Sequence, residues 1–231
     1  MGFYTRLIQT RPRQSCIVCS EPARHVVCRS CEANFSKTEK RCLTCAEPLN
    51  QSLDHCGNCL RSSPNFHRAF TLYSYDGVVA LLIKKIKYEA RLSVASFFAE
   101  KLAKKINEIQ SFNDHYDAII PMPLHKKRLR ERGYNQVVEL LRHVDKKTVI
   151  DTNSIQRLKA TAPLTDLSLS ERKKEIKGAF TLMQSLPYTR VLLVDDVMTT
   201  GSSLNELAKT IIKNTSVERC DVLTLARAEH Q

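Results

Sequence analysis

Two adjacent aspartates stand between an apolar segment and a turn rich in hydroxyl side chains. The order is four apolar residues from Val191, then Asp195-Asp196, then Val-Met, and then Thr199-Thr200-Gly201-Ser202-Ser203. A glycine lets the backbone approach a ligand closely, and turn amides at the start of a helix bind anions. The spacing and the lysine of a Walker A loop are absent. This segment therefore predicts an anion site of another kind.

The paired carboxylates indicate what kind of ligand carries the bound anion. Two carboxylates cannot neutralise a phosphate, so we expect Asp195 and Asp196 to bind another part of the same ligand. Vicinal sugar hydroxyls are suitable donors to carboxylates, and a ribose 5-phosphate would satisfy both ends of the segment. An ordinary strand, turn and helix with polar capping residues is the alternative.

Eight of the nine cysteines occur in four C-x-x-C pairs. The pairs are Cys16/Cys19, Cys28/Cys31, Cys42/Cys45 and Cys56/Cys59. Two such turns complete the tetrahedral Cys₄ shell of a structural zinc site, which leaves no position for a reactive water. We predict two structural zinc sites made of consecutive pairs, and interleaved pairing stays open.

A strongly basic segment follows Pro121-Met-Pro123, with five Lys or Arg among the seven residues 126–132. Arginine binds phosphate oxygens bidentately, whereas lysine acts as a point charge. We therefore predict that Lys127, Arg128 and Arg132 bind a diphosphate or the phosphates of DNA. An exposed basic helix face is the alternative.

Residues 157–172 have little apolar periodicity and carry several polar and basic side chains. They predict a cover over a phosphorylated ligand, with Arg157 and Arg172 facing it and water excluded from the reacting centre. An ordinary surface loop is the alternative.

The remaining sequence predicts the elements that position these residues. Four segments have the apolar pattern of strands: 69–75, 116–121, 190–194 and 221–226. Four others have apolar residues at helical spacing: 77–88, 91–109, 136–143 and 204–214. Alternating strands and helices predict an α/β fold with a mostly parallel sheet, in which ligands bind at the carboxyl ends of strands.

Composition indicates two domains. All paired cysteines precede residue 60, and long apolar runs begin only at Ala69, so we predict a double zinc ribbon over 1–66 and the α/β domain over 67–231. The chain has 36 Lys and Arg against 24 Asp and Glu, a formal charge of +12, which favours polyanionic partners. The sequence contains neither a signal peptide nor a membrane span, so we predict a cytoplasmic protein whose cysteine pairs bind metal.

Together these segments resemble the ComF family of competence proteins, which join a zinc ribbon to a type I phosphoribosyltransferase domain. The resemblance covers nearly the whole chain and includes Lys87-Tyr88, the Pro121 to Gln136 stretch and the Ser170 to Phe180 stretch. The transferase part is also similar to glutamine-dependent amidophosphoribosyltransferase. We expect no glutaminase here, because the sequence leaves no room for that domain before the ribbons.

The resemblance implies that the ligand is phosphoribosyl pyrophosphate with Mg²⁺. It implies that Asp195 and Asp196, the catalytic positions of the family, hold the ribose hydroxyls. The 5-phosphate would then bind at Thr199, Thr200, Gly201 and Ser202. Leu164 and Glu175 replace a glutamine and an asparagine common in the family, which puts turnover in question more than binding. Whether the protein is a phosphoribosyltransferase enzyme therefore stays open.

Three functions follow from these observations. The first, implied by the resemblance, is a competence factor that binds phosphoribosyl pyrophosphate and single-stranded DNA during natural transformation. Its candidate partners are DNA-uptake proteins such as a competence helicase or a DNA-processing protein. DNA phosphates would bind Arg24, Arg29, Arg41 and the basic segment, and bases would stack on Tyr134 or Phe35. The alternatives are a metabolic phosphoribosyltransferase acting on a small nucleophile and a zinc-ribbon adaptor for other proteins.

Overall fold

The structure is a computed structural model that describes residues 14–38, 40–49, 53–111, 115–160 and 174–229. The chain forms two compact units, Met1–Phe35 and Ser36–Gln231. The second unit contains the second group of paired cysteines as well as the α/β sheet. The domain limits 1–66 and 67–231 stay a prediction from sequence.

The first unit is a small hairpin followed by a short helix. Strand β1 (Gln14–Ser15) pairs antiparallel with β2 (Pro22–Ala23), and α1 (Arg29–Ala33) follows. Cys28 caps α1, because its sulfur accepts a hydrogen bond from the Cys31 amide at 3.4 Å. The hairpin turn and the helix start thus each present one cysteine pair.

The second unit begins with a segment of the same design and continues into the sheet. Its elements in chain order are α2 (Gly57–Arg61), β3 (Ala69–Ser74), α3 (Gly77–Glu89), α4 (Leu92–Ser111), β4 (Ala118–Pro121), α5 (Lys126–Arg132), α6 (Gln136–Leu140), β5 (Ile155–Arg157), β6 (Phe180–Leu182), β7 (Arg190–Met198), α7 (Ser202–Asn214) and β8 (Arg219–Arg227). Within the described ranges, no helix has both the length and the apolar character needed to span a membrane.

Four parallel strands form the main sheet in the order β3-β8-β7-β4. Strands β7 and β8 occupy the centre, and residues 191–194 and 222–226 are fully buried, as expected for apolar strands covered by helices on both faces. The predicted α/β class and its mostly parallel sheet are confirmed.

Three local features differ from the sequence predictions. Strand β7 continues four residues past Val194, through both aspartates to Met198, because its ladder with β8 persists to Arg227. The basic segment, for which a helix is only the alternative prediction, forms the helix α5, which ends at Gly133 in the left-handed conformation (φ 76°). Arg157 lies in β5, which pairs antiparallel with β6 outside the main sheet.

Candidate functional site

The two aspartates of β7 lie at the carboxyl end of the sheet, and partners from two helices hold Asp196. The Lys87 ammonium, from the last turn of α3, is 2.8 Å from Asp196 Oδ1. The Gln136 amide, from the start of α6, donates to Asp196 Oδ2 at 2.8 Å. Asp196 is buried, so both oxygens of this carboxylate are paired away from water.

Asp195 has a different environment. Its Oδ1 accepts a hydrogen bond from the Asp196 amide at 2.8 Å, and its side chain is only half-buried. Burial and the neighbouring Asp196 charge raise the pKa of Asp195 to about 7, against the opposing effects of Lys87 and Arg157. The two adjacent carboxylates thus differ: side chains of the protein hold both oxygens of Asp196, whereas Asp195 is half-buried.

Two cations balance the acidic pair. Burial acts to lower the pKa of Lys87, but the Asp196 carboxylate outweighs burial and raises it. Arg157 is also buried, which lowers the pKa of its guanidinium despite the favourable field of Asp195. That guanidinium lies 5.6 Å from the centroid of the Phe180 ring. The β5-β6 ribbon therefore brings a positive charge toward Asp195.

The hydroxyl-rich turn directly follows β7 and starts α7. Gly201 is the N-cap of α7 at φ 73°, and a Cβ there would lie 3.4 Å from the Met198 sulfur. Only glycine accepts this backbone without strain, and it leaves the first amides of α7 without a capping side chain of its own. The Thr200 and Ser202 hydroxyls lie 2.9 Å apart. Helix amides and hydroxyls together are suited to bind a phosphate.

The basic helix α5 is linked to the acidic pair through one side chain. Arg132 Nη1 donates to Gln136 Oε1 at 2.9 Å, and Gln136 in turn donates to Asp196. The Asn135 side chain fixes the junction, since it donates to the Met122 carbonyl at 3.0 Å and accepts from the Val137 amide at 2.9 Å. A phosphate bound on α5 would thus be close in structure to the aspartates.

The predicted site residues are distributed as follows. Asp195, Asp196, Thr199, Thr200, Gly201 and Ser202 form one continuous site at the end of β7. Lys127 is exposed at the start of α5, and Arg128 and Arg132 are half-buried. Arg157 joins the site from β5, whereas Arg172 and residues 161–173 lie outside the described residues. Which molecules these residues bind stays a prediction.

Sequence reasoning missed the roles of Lys87 and Gln136. In the sequence, both are only parts of the segments that resemble the ComF family. Their signal was weak, because a lysine late in an amphipathic helix is usually a surface residue. The structure shows instead that each supplies one partner of Asp196.

The structure describes the surroundings of three residues relevant to the predicted DNA contacts, which stay predictions. Phe35 is 5% exposed, so its ring cannot stack on a base without rearrangement. Arg41 is occupied by the Ala46 carbonyl at 3.0 Å and the Ser74 hydroxyl at 2.9 Å. Tyr88, in contrast, is 73% exposed, and the Arg132 guanidinium lies 5.6 Å from its ring centroid.

The eight paired cysteines form two clusters, Cys16/Cys19/Cys28/Cys31 and Cys42/Cys45/Cys56/Cys59. Within each cluster the sulfurs all lie within 4.8 Å of one another, which confirms consecutive pairing. A tetrahedral zinc site with Zn–S bonds of about 2.3 Å requires sulfurs about 3.8 Å apart. The observed Cys19–Cys28 and Cys45–Cys56 separations, 3.8 and 3.6 Å, match this. The residues therefore fit structural zinc.

The two clusters repeat the same backbone contacts. The amides of Cys16 and Cys42 donate to the carbonyls of Glu21 and Glu47, both at 2.8 Å. The amides of Cys28 and Cys56 donate to the sulfurs of Cys16 and Cys42, both at 3.3 Å. Burial alone would raise the pKa of Cys16 and of Cys42, but such amides outweigh it and lower each pKa to about 6. These amides therefore stabilise the thiolate of the first cysteine in each cluster, which is the form that binds zinc.

The chain is similar over most of its length to proteins named for competence and for DNA utilization. It is 33% identical over 213 residues to competence protein F of Haemophilus influenzae, covering 89% of this chain and 92% of that protein. It is 29% identical over 192 residues to DNA utilization protein YhgH of Escherichia coli K12, covering 81% and 85%. It is 24% identical over 213 residues to competence protein ComFC of Bacillus subtilis, covering 87% and 84%. No family model matches the chain.

The fold and the site define an α/β protein with a polar site at the carboxyl end of its central parallel strands and two Cys₄ clusters suited to zinc. Together with the 33% identity across nearly the full length of competence protein F, these features give its family. The chain belongs to the ComF family of competence proteins.

Proposed function

We propose that the protein acts in DNA uptake during natural transformation, and that it binds phosphoribosyl pyrophosphate with Mg²⁺ and single-stranded DNA. One observation carries the ligand proposal. The Asp195-Asp196 pair lies near the carboxyl end of a central parallel strand, which ends at Met198 and leads within three residues into the glycine-capped start of α7. A sugar with vicinal hydroxyls and a 5-phosphate matches these two groups in order. The names of the relatives carry the proposal for DNA uptake.

Each part of the ligand has a candidate partner. Asp195, which is half-buried and accepts a hydrogen bond from the Asp196 amide, would also accept hydrogen bonds from the ribose hydroxyls. The 5-phosphate would bind the α7 amides and the hydroxyls of Thr200 and Ser202. The diphosphate would bind Lys127, Arg128 and Arg132, and Mg²⁺ would neutralise its oxygens.

Single-stranded DNA would follow the exposed side of α5. Lys126, Lys127 and Arg130 are exposed there and would contact successive phosphates. Tyr88 lies beside α5 through its contact with Arg132, so a base could stack on its exposed ring. This arrangement has the two features that sequence-tolerant binding needs, a basic track and an aromatic platform.

The ligand proposal is tested by calorimetric titration of the full chain with phosphoribosyl pyrophosphate and Mg²⁺. We expect saturable binding that Asp195→Asn together with Asp196→Asn weakens at least about tenfold, the effect of losing a charge-assisted hydrogen bond. Asp145→Asn, which changes an exposed aspartate, is the matched control. Equal affinity of the wild type and the double variant would reject the site.

The DNA proposal is tested by fluorescence anisotropy with a labelled single strand at several salt concentrations. A logarithmic plot of affinity against salt should be linear and steep, and replacing Lys127 and Arg130 by Ala should reduce its slope. A flat salt dependence would reject the proposed track. Repeating the calorimetric titration with DNA present shows whether the two ligands are coupled.

A further inference from the structure

Arg227, the last residue of β8, contacts both the second Cys₄ cluster and the turn at the end of β7. It is 3% exposed. Toward the cluster, its Nε donates to the Cys45 carbonyl at 3.3 Å, and its Nη2 pairs with the Glu47 carboxylate. Toward the turn, its Nη1 donates to the Met198 carbonyl at 3.1 Å and also to the Thr199 carbonyl. One buried side chain thus joins a metal-binding loop to the turn.

These contacts fix the direction of the amides that would face a phosphate. A peptide unit is planar, so its carbonyl and the following amide point in opposite directions. A donor that holds the Met198 and Thr199 carbonyls therefore also orients the Thr199 and Thr200 amides. Arginine suits this task because its rigid fork has five donors, whereas lysine offers one compact charge.

The partners of Arg227 on the other side depend on the cluster. Cys45 is itself one of the four cysteines, and Glu47 follows it in a tight turn whose carbonyl accepts from the Cys42 amide at 2.8 Å. Ala46, between them, has a left-handed backbone (φ 56°), a strained conformation for a residue with a Cβ. A metal bound by Cys42 and Cys45 would hold this turn in place, since metal binding is coupled to local folding.

A second, half-buried contact supports the same junction. Arg41 Nη1 donates to the Ala46 carbonyl at 3.0 Å, and its Nη2 donates to the Ser74 hydroxyl at 2.9 Å. Ser74 ends β3 and donates to Glu229, two residues beyond β8. Through Arg41 and Ser74, the turn around Cys45 is therefore attached to the carboxyl ends of β3 and β8. Arg227 connects the same turn directly to the carboxyl end of β7.

We propose that Arg227 is a positioning residue through which metal occupancy of the second Cys₄ cluster orders the turn 198–202. The expected effect of Arg227 on ligand affinity rests on the proposed function, because that function assigns the ligand phosphate to this turn. The two clusters are then not equivalent. The cysteines of the first cluster, in the other unit, supply none of the contacts described for Arg227, so metal there should not affect the turn.

The structural part of the proposal is tested by hydrogen–deuterium exchange of the zinc-loaded full chain. Cys56→Ser removes one ligand of the second cluster and leaves the described contacts of Arg227 in place, and Cys28→Ser is the matched change in the first. We expect amide exchange in 198–203 to become about tenfold faster in Cys56→Ser and to be unchanged in Cys28→Ser. Unchanged exchange in a Cys56→Ser protein that has lost one metal would overturn the proposal.

Two further variants decide the matter if Cys56→Ser does not fold. Glu47→Gln removes the charge opposite Arg227 while all eight cysteines stay, and Arg227→Lys keeps the charge but loses the fork. Both should retain two metal ions and show faster exchange in 198–203, with unchanged exchange in the first unit. If both keep the wild-type exchange pattern, Arg227 does not position the turn.

Calorimetry with phosphoribosyl pyrophosphate separates this inference from the proposed function. If the wild type binds, and the Glu47→Gln and Arg227→Lys variants bind about tenfold more weakly, the inference and the proposed function are both supported. If all three proteins bind equally, the inference fails and the proposed function survives. If the wild type does not bind, the proposed function fails, and the exchange measurements alone decide whether the cluster orders the turn.

Discussion

The Lys87 ammonium lies 2.8 Å from Asp196 Oδ1, in a pair that is mostly removed from water. Gln136 occupies the other oxygen of the same carboxylate. Because side chains of the protein engage both oxygens of Asp196, we propose Asp195 as the carboxylate that binds the ligand. Adjacent aspartates on one strand thus have different environments, because side chains from two neighbouring helices contact only one of them.

Replacing Lys87 should destabilise the protein through Asp196. Lys87→Met keeps most of the side-chain volume but leaves a buried carboxylate without its cation, which costs about 3 kcal/mol. Thermal and urea unfolding measure this change. Asp196→Asn in the Lys87→Met background should recover part of the loss, and a double-mutant cycle should give a coupling energy of at least ~1 kcal/mol. Additive effects would show that the pair contributes nothing as a pair.

Affinity for phosphoribosyl pyrophosphate should rise with pH around neutrality. Asp195, with a pKa of about 7, is mainly protonated at pH 6 and mainly ionised at pH 8, and the carboxylate is the better acceptor for hydroxyls. We expect about tenfold tighter binding at pH 8 than at pH 6, measured by calorimetry. The ligand phosphate also titrates near pH 6. Asp195→Asn is therefore the control, because its binding should retain only the pH dependence that comes from the ligand phosphate.

The same shift predicts a stability effect of defined sign. The folded pKa of Asp195 lies above the ordinary value of 3.8. Its contribution to stability is therefore fully present below pH 3.8 and is lost as the pH rises through about 7. Urea unfolding should accordingly show that Asp195→Asn gains stability relative to the wild type as the pH increases from 4 to 8. A constant difference across this range would contradict the shifted pKa.

The sheet was predictable because its strands are buried on both faces. Residues 191–194 form an unbroken apolar run, which a central parallel strand requires, and the hydroxyl turn marks the start of the next helix. The continuation of β7 through Asp195 and Asp196 was not predictable, because charged residues usually end a strand. Their placement depends on Lys87, which lies more than 100 residues earlier in the chain.

Contacts between distant segments account for the rest of what sequence reasoning missed. Arg227 appears in the sequence as a basic residue at the end of an apolar strand, with no local pattern to indicate burial. Its partners Cys45 and Glu47 are 182 and 180 residues away. The cysteine clusters were predictable for the opposite reason, since four thiolates and one metal impose a fixed local spacing.

Metal content should report the consecutive pairing of the cysteines. The wild type should bind two zinc ions per chain, one in each cluster. Removing the first and second C-x-x-C pairs by Cys→Ser should leave one zinc, because the second cluster stays whole. Removing the first and third pairs should leave none. Interleaved pairing would reverse these two results, so inductively coupled plasma mass spectrometry of both variants distinguishes the arrangements.

Tyr88 should contribute to DNA binding by stacking. Its ring is 73% exposed beside Arg132, and stacking of a base on such a ring contributes about 1–3 kcal/mol. Tyr88→Ala should therefore weaken single-strand binding by about fivefold or more in anisotropy titrations without changing the salt slope, because no charge is removed. Tyr88→Phe retains the ring and should bind as the wild type does. A loss of equal size in both variants would show that the hydroxyl acts, and stacking on Tyr88 would be rejected.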